Sequence, residues 1–384
     1  MPFTPAEQAL LARTRAFARD TVAPQAARWE RERRIGTEAI DEAVAIGLTR
    51  LQVPLAWGGL AMSFACKAAV VEILAGADFG FAMSLVNSHN VAAKLARDAA
   101  PALAARYVPE LVAGRRLGCT ALTEPGAGSD FAAITTSATR VPGGWRIDGA
   151  KAWITNAAVA DVVVLFAQTE AGSGGRGIAC FVVDGQQPGF VREPAYALGG
   201  QHTIGVGGFG LDGYFAADEA LIHPPGQAFK AALGSINGAR TYIAAMCCGM
   251  VDAALQVALA YGRERLTFGS ALVDHQGWRW RLAEASAALA ASRALVAQAA
   301  AMVDAGTDMM SATGAETQLV AAQAKLVATR MAEQHLPALA QAMGAEGLRE
   351  HYPFARHLIG ARVAGFVDGS SEMLLERIAA VMQR

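Results

Sequence analysis

The chain has 384 residues, 53% of them hydrophobic and 17% charged, with a formal net charge of −1. That length exceeds one ordinary core, so two or three compact units are the expectation, and the composition is that of a globular protein with much buried helix. A neutral balance supplies no basic field for nucleic acid or an anionic membrane, so any anionic ligand must be held by local charges.

The basic side is almost all arginine, with lysine only at positions 67, 94, 151, 230 and 325. Beside the heavy alanine load, this skew reads as base composition and carries no functional reading. The five cysteines are Cys66, Cys119, Cys180, Cys247 and Cys248. An odd count without a CxxC spacing argues against a disulfide framework or a zinc site, and reduced, buried thiols suit a cytoplasmic protein. At the N-terminus, Thr4-Pro5-Ala6-Glu7 reads as a capping box with proline in the first turn. It lacks the basic head and apolar run of a signal peptide. No uninterrupted apolar stretch reads as long enough to span a bilayer, so a soluble, cytoplasmic chain is the expectation.

Three regions follow in order. Residues 1–118 carry helical period in segments around 5–31, 37–47, 64–76, 81–99 and 101–113, with Gly47 and Gly114 where C-terminal caps belong. Residues 119–226 hold 19 of the 40 glycines. Runs at 161–166 and 178–183 read as strands, and Val141-Pro142-Gly143-Gly144-Trp145 as a hairpin, so a small barrel or sandwich is expected. Residues 227–384 return to long helices at 227–264, 274–305, 311–343 and from about 370, which predicts an antiparallel bundle. Its alanine-rich stretch, Ala285 to Ala301, permits close helix approach, either between subunits or inside the bundle.

Two strings carry the chemistry. In Leu122-Thr123-Glu124-Pro125-Gly126-Ala127-Gly128-Ser129-Asp130, proline and glycine force a tight path and Gly128 lets the main chain approach a planar ligand. Thr123 and Ser129 offer hydroxyls to ring edges or phosphate. In Lys151-Ala152-Trp153-Ile154-Thr155-Asn156, the indole can lie against a flat ring and the Thr155 hydroxyl can reach a ring nitrogen. The tetrapeptide 123–126 alone would be a domain-junction turn and Trp153 alone a core aromatic, whereas the full nine-residue string is far more specific.

Together these strings resemble the flavin-contact signature of the acyl-CoA dehydrogenase family, and the resemblance runs over essentially the whole chain. It implies an α-helical N-domain, a β-barrel middle domain and a C-terminal four-helix bundle, assembled as a homotetramer with non-covalent FAD. Leu122, Thr123, Gly128, Ser129, Trp153 and Thr155 match flavin-contacting positions. The segment Arg263-Glu264-Arg265-Leu266-Thr267-Phe268-Gly269 and Gln276 resemble the family's cross-subunit FAD contact, with Arg265 at the pyrophosphate-reaching position and Thr267 and Phe268 beside it. Gln341 resembles another, although Ala345 departs from the family's usual second glycine. Ser370 and Glu372 match further flavin-contacting positions. Ser129, Arg240 and Gly369 match substrate contacts.

The resemblance also implies a carboxylate that takes the substrate's α-proton. Asp368, in Phe366-Val367-Asp368-Gly369-Ser370-Ser371-Glu372, stands where the family usually has glutamate. Local sequence leaves two readings open, because Asp368 or Ser370 equally suits the N-cap of the following helix. A second position that carries the base in some members is Ala239 here, and alanine takes no proton. Glu372 is the weaker candidate. Aspartate is one methylene shorter, on the order of 1.5 Å of reach, where about 1 Å of misplacement can cost a hundredfold. Relatives acting on alicyclic acyl-CoAs use aspartate, so a cyclohexanecarboxyl-CoA-type substrate joins the candidates. An acyl-CoA oxidase, a non-redox lyase and a dehydrogenase of carrier-protein thioesters share the scaffold. The implied partners are an acyl-CoA and an electron-transfer flavoprotein. In the glycine-rich loop 199–210, which departs from the family pattern, no residue receives a role and His202 reads as a solvated loop residue.

Overall fold

The first helix begins as its capping box dictates. In the computed structural model, which describes residues 2–306 and 312–383, the Thr4 hydroxyl accepts from Glu7 N while Glu7 Oε2 accepts from Thr4 N at 2.9 Å. Helix α1 (Pro5–Phe17) runs through a π-helical turn, Ala18–Val22, into α2 (Ala23–Glu32). Pro24 has no N–H to return to the preceding turn, so the ladder widens there. Four helices complete the region: α3 (Thr37–Ile46), α4 (Phe64–Ala77), α5 (Phe79–Asp98) and α6 (Pro101–Val112). Trp29 and Phe17 close on Phe81 with ring centroids 5.5 and 5.8 Å apart.

The middle region is strand. Its elements are β1 (Gly118–Ala121), β2 (Ser137–Val141), β3 (Gly144–Ile154), β4 (Val162–Gln168), β5 (Ile178–Asp184), β6 (Phe190–Ala195), β7 (Gly207–Ala217) and β8 (Leu221–His223). They form one sheet in the order β6-β7-β3-β2-β4-β5-β8, with β1 parallel to β4. Every residue of β4 and β5 is buried, because Val162 and Val164 face the helical side while Val163 and Leu165 face the sheet's own interior. Burial on both faces explains their continuous apolar runs. The sheet curls on itself: Trp145 of β3 meets Phe181 of β5 at 5.6 Å, and the Tyr214 hydroxyl of β7 accepts from Asp184 N, although neither pair of strands is adjacent.

The last region holds α7 (Ala228–Glu264), a two-residue ribbon β9 (Leu266–Thr267) and β10 (Ser270–Ala271), then α8 (Gln276–Asp304), α9 (Ala312–Ala342), α10 (Phe354–Phe366) and α11 (Ser371–Met382). The expected start of the third helix at residue 311 lies outside the described residues. Helix α10 is not apparent in the sequence. It is short, starts behind Pro353 and carries two glycines, and Gly360 lets it press against Met250 and Phe79. Two expectations need correction. Helices α7 and α8 are long and apolar enough to cross a membrane by length and composition; 67% of the apolar window of α7 is buried inside the protein, against 28% for α8. His202 is not a solvated loop residue. Its Nδ1 lies 2.9 Å from Glu30 Oε1, its backbone N–H donates to Glu30 Oε2, and its Nε2 is 3.1 Å from Leu198 O, so it fastens the glycine-rich loop to α2.

The N-terminal helices and the bundle share one core rather than two. Helices α4 and α7 touch backbone to backbone: a Cβ on Gly249 would lie 1.9 Å from Glu72 O, and one on Gly76 would lie 2.9 Å from Gly249 O. Gly249→Ala must push these helices apart, with an expected loss of about 1–3 kcal/mol, checked by chemical denaturation beside an alanine variant at exposed Gly277.

Candidate active site

The two sequence strings meet because a buried ion pair joins them. Lys151 Nζ donates to Glu124 Oε1 at 2.8 Å and to Leu122 O at 3.0 Å, with both side chains almost wholly enclosed. Glu124 also accepts from Thr135 N, the Thr135 hydroxyl and Thr136 N. Burial acts to raise the Glu124 carboxyl, but Lys151 and these donors hold it at about 2. Burial brings Lys151 down to about 8 against the pull of Glu124, so both stay ionised at neutral pH. A further bond, Ala152 N to Thr123 O at 3.1 Å, lays the second string along the first.

Between Lys151 and Ile154 the pairing of β3 with β7 shifts register. A bulge of this kind re-aims a side chain. Trp153 sits there at φ +60 and 62% exposed, backed edge-on by Tyr196 at 5.0 Å. Nearby, the Thr123, Ser129 and Thr155 hydroxyls are used by no hydrogen bond among the described residues. A Cβ on Gly128 would meet nothing closer than Thr123 Cγ2 at 4.0 Å, so the protein's own packing does not require that glycine. An outward indole, three unused hydroxyls and an open glycine form a cradle whose chemistry fits a flavin. Asn156, the last residue of the string, acts on the fold instead. Its Nδ2 donates to Ser84 O and Gly118 O, pinning the end of β3 to α5 and β1.

Asp368 lies in the turn between α10 and α11, at φ +54, followed by Gly369 at φ +99. Ser370 is the N-cap of α11, accepting from Met373 N, so the capping role open to Asp368 in the sequence is filled by its neighbour. Glu372 is exposed in the first turn of α11, where its own backbone N–H and Ser370 hold its carboxyl below the usual range. Two cations grip the Asp368 turn. Arg240 Nε donates to Asp368 O at 3.0 Å and Arg240 Nη1 to Asn237 Oδ1 at 3.1 Å. Lys325, fully buried on α9, donates to Gly369 O at 2.6 Å and to Val367 O. Lys325 is the residue sequence reasoning missed; the signal was a lone lysine in the apolar stripe of a helix. Burial pushes the Asp368 carboxyl above the usual aspartate range, with Lys325 and Arg240 pulling it back. The Asp368 N–H has no acceptor among the described residues, which leaves it available to a ligand oxygen.

The remaining sequence candidates gather elsewhere in the chain. Phe268 (φ +51) and Gly269 (φ +82) form a two-residue turn between β9 and β10, with both residues in the left-handed region as such hairpins require. Phe268 is 100% exposed at its tip. Thr267 bonds His275 Nε2, and Arg265 caps α7 in solvent. The Trp278 indole donates to Ala342 O, which brings the Gln276 end of α8 to the Gln341 end of α9. Among the described residues, no hydrogen bond or ion pair joins this second group to Trp153 or Asp368.

Comparison with known proteins gives the arrangement its context. Family models for the acyl-CoA dehydrogenase N-terminal, middle and C-terminal domains match residues 4–115, 119–213 and 226–383. The chain belongs to the acyl-CoA dehydrogenase family. As such it is a flavin-dependent oxidoreductase. It is 30% identical over 371 residues to the human mitochondrial short-chain specific acyl-CoA dehydrogenase, covering 95% of this chain and 87% of that one. It is 29% identical to the short/branched chain specific enzyme of Rattus norvegicus, covering 94% and 82%. The butyryl-CoA dehydrogenase structure from Megasphaera elsdenii superposes with a TM-score of 0.93 at 28% identity and full coverage of both chains.

Two outcomes are expected of this enzyme. Lys151→Met leaves the buried Glu124 carboxylate without a counter-charge, costing about 3–5 kcal/mol. The double change with Glu124→Leu recovers part of that loss in a denaturation series, and flavin content tracks it. Lys325→Met frees the Asp368 turn and lowers turnover roughly ten- to a hundredfold. It also removes a cation that stabilises the Asp368 carboxylate, so the Asp368 pKa moves further above the ordinary aspartate range.

Proposed function

We propose that this family member removes two hydrogens across the Cα–Cβ bond of an acyl thioester carried by coenzyme A, with Asp368 taking the α-proton. The observation that carries the reading is the Asp368 turn: a carboxylate in a left-handed turn, relieved of capping by Ser370 and gripped by Arg240 and Lys325. The thioester carbonyl accepts from the Asp368 N–H, so negative charge moves onto oxygen as the α-proton leaves. A carboxyl raised by burial is a better-matched base near neutral pH than an ordinary aspartate. The electron pair released at Cα becomes the new C=C as hydride departs from Cβ. Non-covalent FAD, when bound, supplies the acceptor for that hydride.

The chain's own residues position the reactants. Leu122, Thr123, Gly128, Ser129, Trp153, Thr155, Ser370 and Glu372 would hold the flavin, and Ser129, Arg240 and Gly369 the thioester arm. Arg265, Thr267, Phe268, Gln276 and Gln341 serve the flavin of a neighbouring subunit in a homotetramer. A fully exposed phenylalanine on a strained turn supports this, as does the outward stripe Ala283, Ala287, Ala290, Ala294 and Ala297 on α8. An electron-transfer flavoprotein would be the partner that takes up the electrons, in the cytoplasm, where five free, buried cysteines suit a reducing compartment. The short base favours a compact or alicyclic acyl group, cyclohexanecarboxyl-CoA among them.

Anaerobic flavin bleaching across straight, branched and cyclic acyl-CoAs is the test. Asp368→Asn is expected to slow bleaching by at least about a thousandfold while flavin stays bound; undiminished bleaching would remove Asp368 from its role. Because the reaction needs the carboxylate, kcat/KM falls as pH drops through its pKa, and that limb lies above the ordinary aspartate range.

A further inference from the structure

Away from the Asp368 turn, a second lysine is buried without a carboxylate. Lys67, on α4, is 4% exposed, and no ion pair reaches it among the described residues. Its ammonium donates to Asn90 Oδ1 at 2.6 Å and lies over two rings, Tyr242 at 5.1 Å and Phe64 at 5.5 Å. An isolated buried cation is costly, and fixing one with neutral groups alone calls for a reason.

The hydrogen bonding around it can be assigned atom by atom. Gln52 N–H donates to His89 Nε2 at 3.0 Å, so the proton of that neutral ring is on Nδ1, which faces Asn90 Oδ1 at 3.3 Å. Two donors therefore converge on Oδ1, which fixes the amide orientation and turns Nδ2 to the Tyr242 hydroxyl at 3.2 Å. That hydroxyl accepts, and its own hydrogen has no acceptor among the described residues. Lys67 has three hydrogens and uses one. The cluster is rich in donors and short of acceptors, and Asn90 is its half-buried member.

The charge of Asp368 reaches the cluster at Tyr242. Tyr242 lies on α7 two residues after Arg240, whose guanidinium bonds Asp368 O. We infer that Lys67, Asn90 and Tyr242, converging between α4, α5 and α7, form a subsite for a carboxylate at the end of the acyl group farthest from the thioester. The inference rests on the acyl-thioester reading and specifies its substrate class: a dicarboxylic acid joined to the thiol through one carboxyl. The occupant supplies the missing acceptor, taking hydrogens from Lys67 and from the Tyr242 hydroxyl.

Electrostatics agree. Burial brings Lys67 down to about 7, with Arg97 adding to the effect, and keeps His89 neutral, with Lys67 adding to it. Burial raises Tyr242, and the charge of Asp368 raises it further, so it stays a donor within electrostatic reach of the base. These groups, from α4, α5, α7 and the Asp368 turn, are the charged or titratable ones facing Lys67 among the described residues. An arriving carboxylate raises the Lys67 pKa, so binding above pH 7 draws in a proton.

The test uses flavin-loaded protein carrying Asp368→Asn, which binds without turnover. It is titrated with butyryl-CoA and with the CoA thioesters of four- to six-carbon dicarboxylic acids, read by flavin absorbance and by calorimetry in two buffers. The expected result is at least tenfold tighter binding of a carboxylated thioester, with proton uptake at pH 7.5 that butyryl-CoA does not cause. Adding Lys67→Met removes that preference, leaving the two kinds of thioester within about threefold of each other, and Lys67→Arg restores part of it. Equal or tighter binding of butyryl-CoA, with a ratio unmoved by Lys67→Met, overturns the subsite. If Lys67→Met does not accumulate, the preference and the proton uptake decide alone. If no thioester of either kind perturbs the flavin, the acyl-thioester reading itself fails and the subsite falls with it.

Discussion

A lysine ammonium can be enclosed only where acceptors are brought to it, and the Lys151–Glu124 pair imposes that condition on this fold. Because Lys151 must reach both Glu124 and Leu122 O, the junction between the helical region and the sheet has to lie along the end of β3. That alignment sets the register in which Trp153 falls on a bulge and turns outward. Thr123, Ser129 and Thr155 then keep their hydroxyls free of hydrogen bonds among the described residues. The ligand cradle follows from one buried charge, and the residues that fill it need no direct contact with each other.

The same physics recurs twice. Of the five lysines, Lys67, Lys151 and Lys325 are all buried, in a chain whose surface cations are nearly all arginine. A compact ammonium with three rotatable donors suits backbone carbonyls and amide oxygens converging from several directions, where a planar guanidinium does not. The lysine-to-arginine skew, set aside as composition in the sequence, marks three positions at which an interior point charge organises its neighbours.

How much of the fold is legible in the sequence depends on the range of the interaction. Helix periodicity is local, so α1 to α6 and the long bundle helices stand near their expected limits, and the β4 and β5 runs are visible as strands. The residues of the open cradle beside Trp153 can be grouped from the sequence because they cluster in two short strings. Helix α10 is hidden because Gly360 serves contacts with residues more than a hundred positions away. His202 is misread for the same reason: Glu30 is distant in sequence and nothing in a glycine-rich loop announces it. Residue type alone does not decide whether Asp368 or Ser370 caps α11, since both are good caps; the positive φ of Asp368 takes it out of contention.

That backbone angle bears on why the carboxylate here is short. A residue with a branched or long side chain resists the left-handed region, whereas aspartate enters it several times more readily. The turn between α10 and α11 therefore favours aspartate on conformational grounds even though glutamate would extend farther toward a substrate. What reads as lost reach at the level of the side chain is relief of torsional strain at the level of the main chain. The length of the side chain at position 368 is thus partly a by-product of the least strained way to turn one helix into the next.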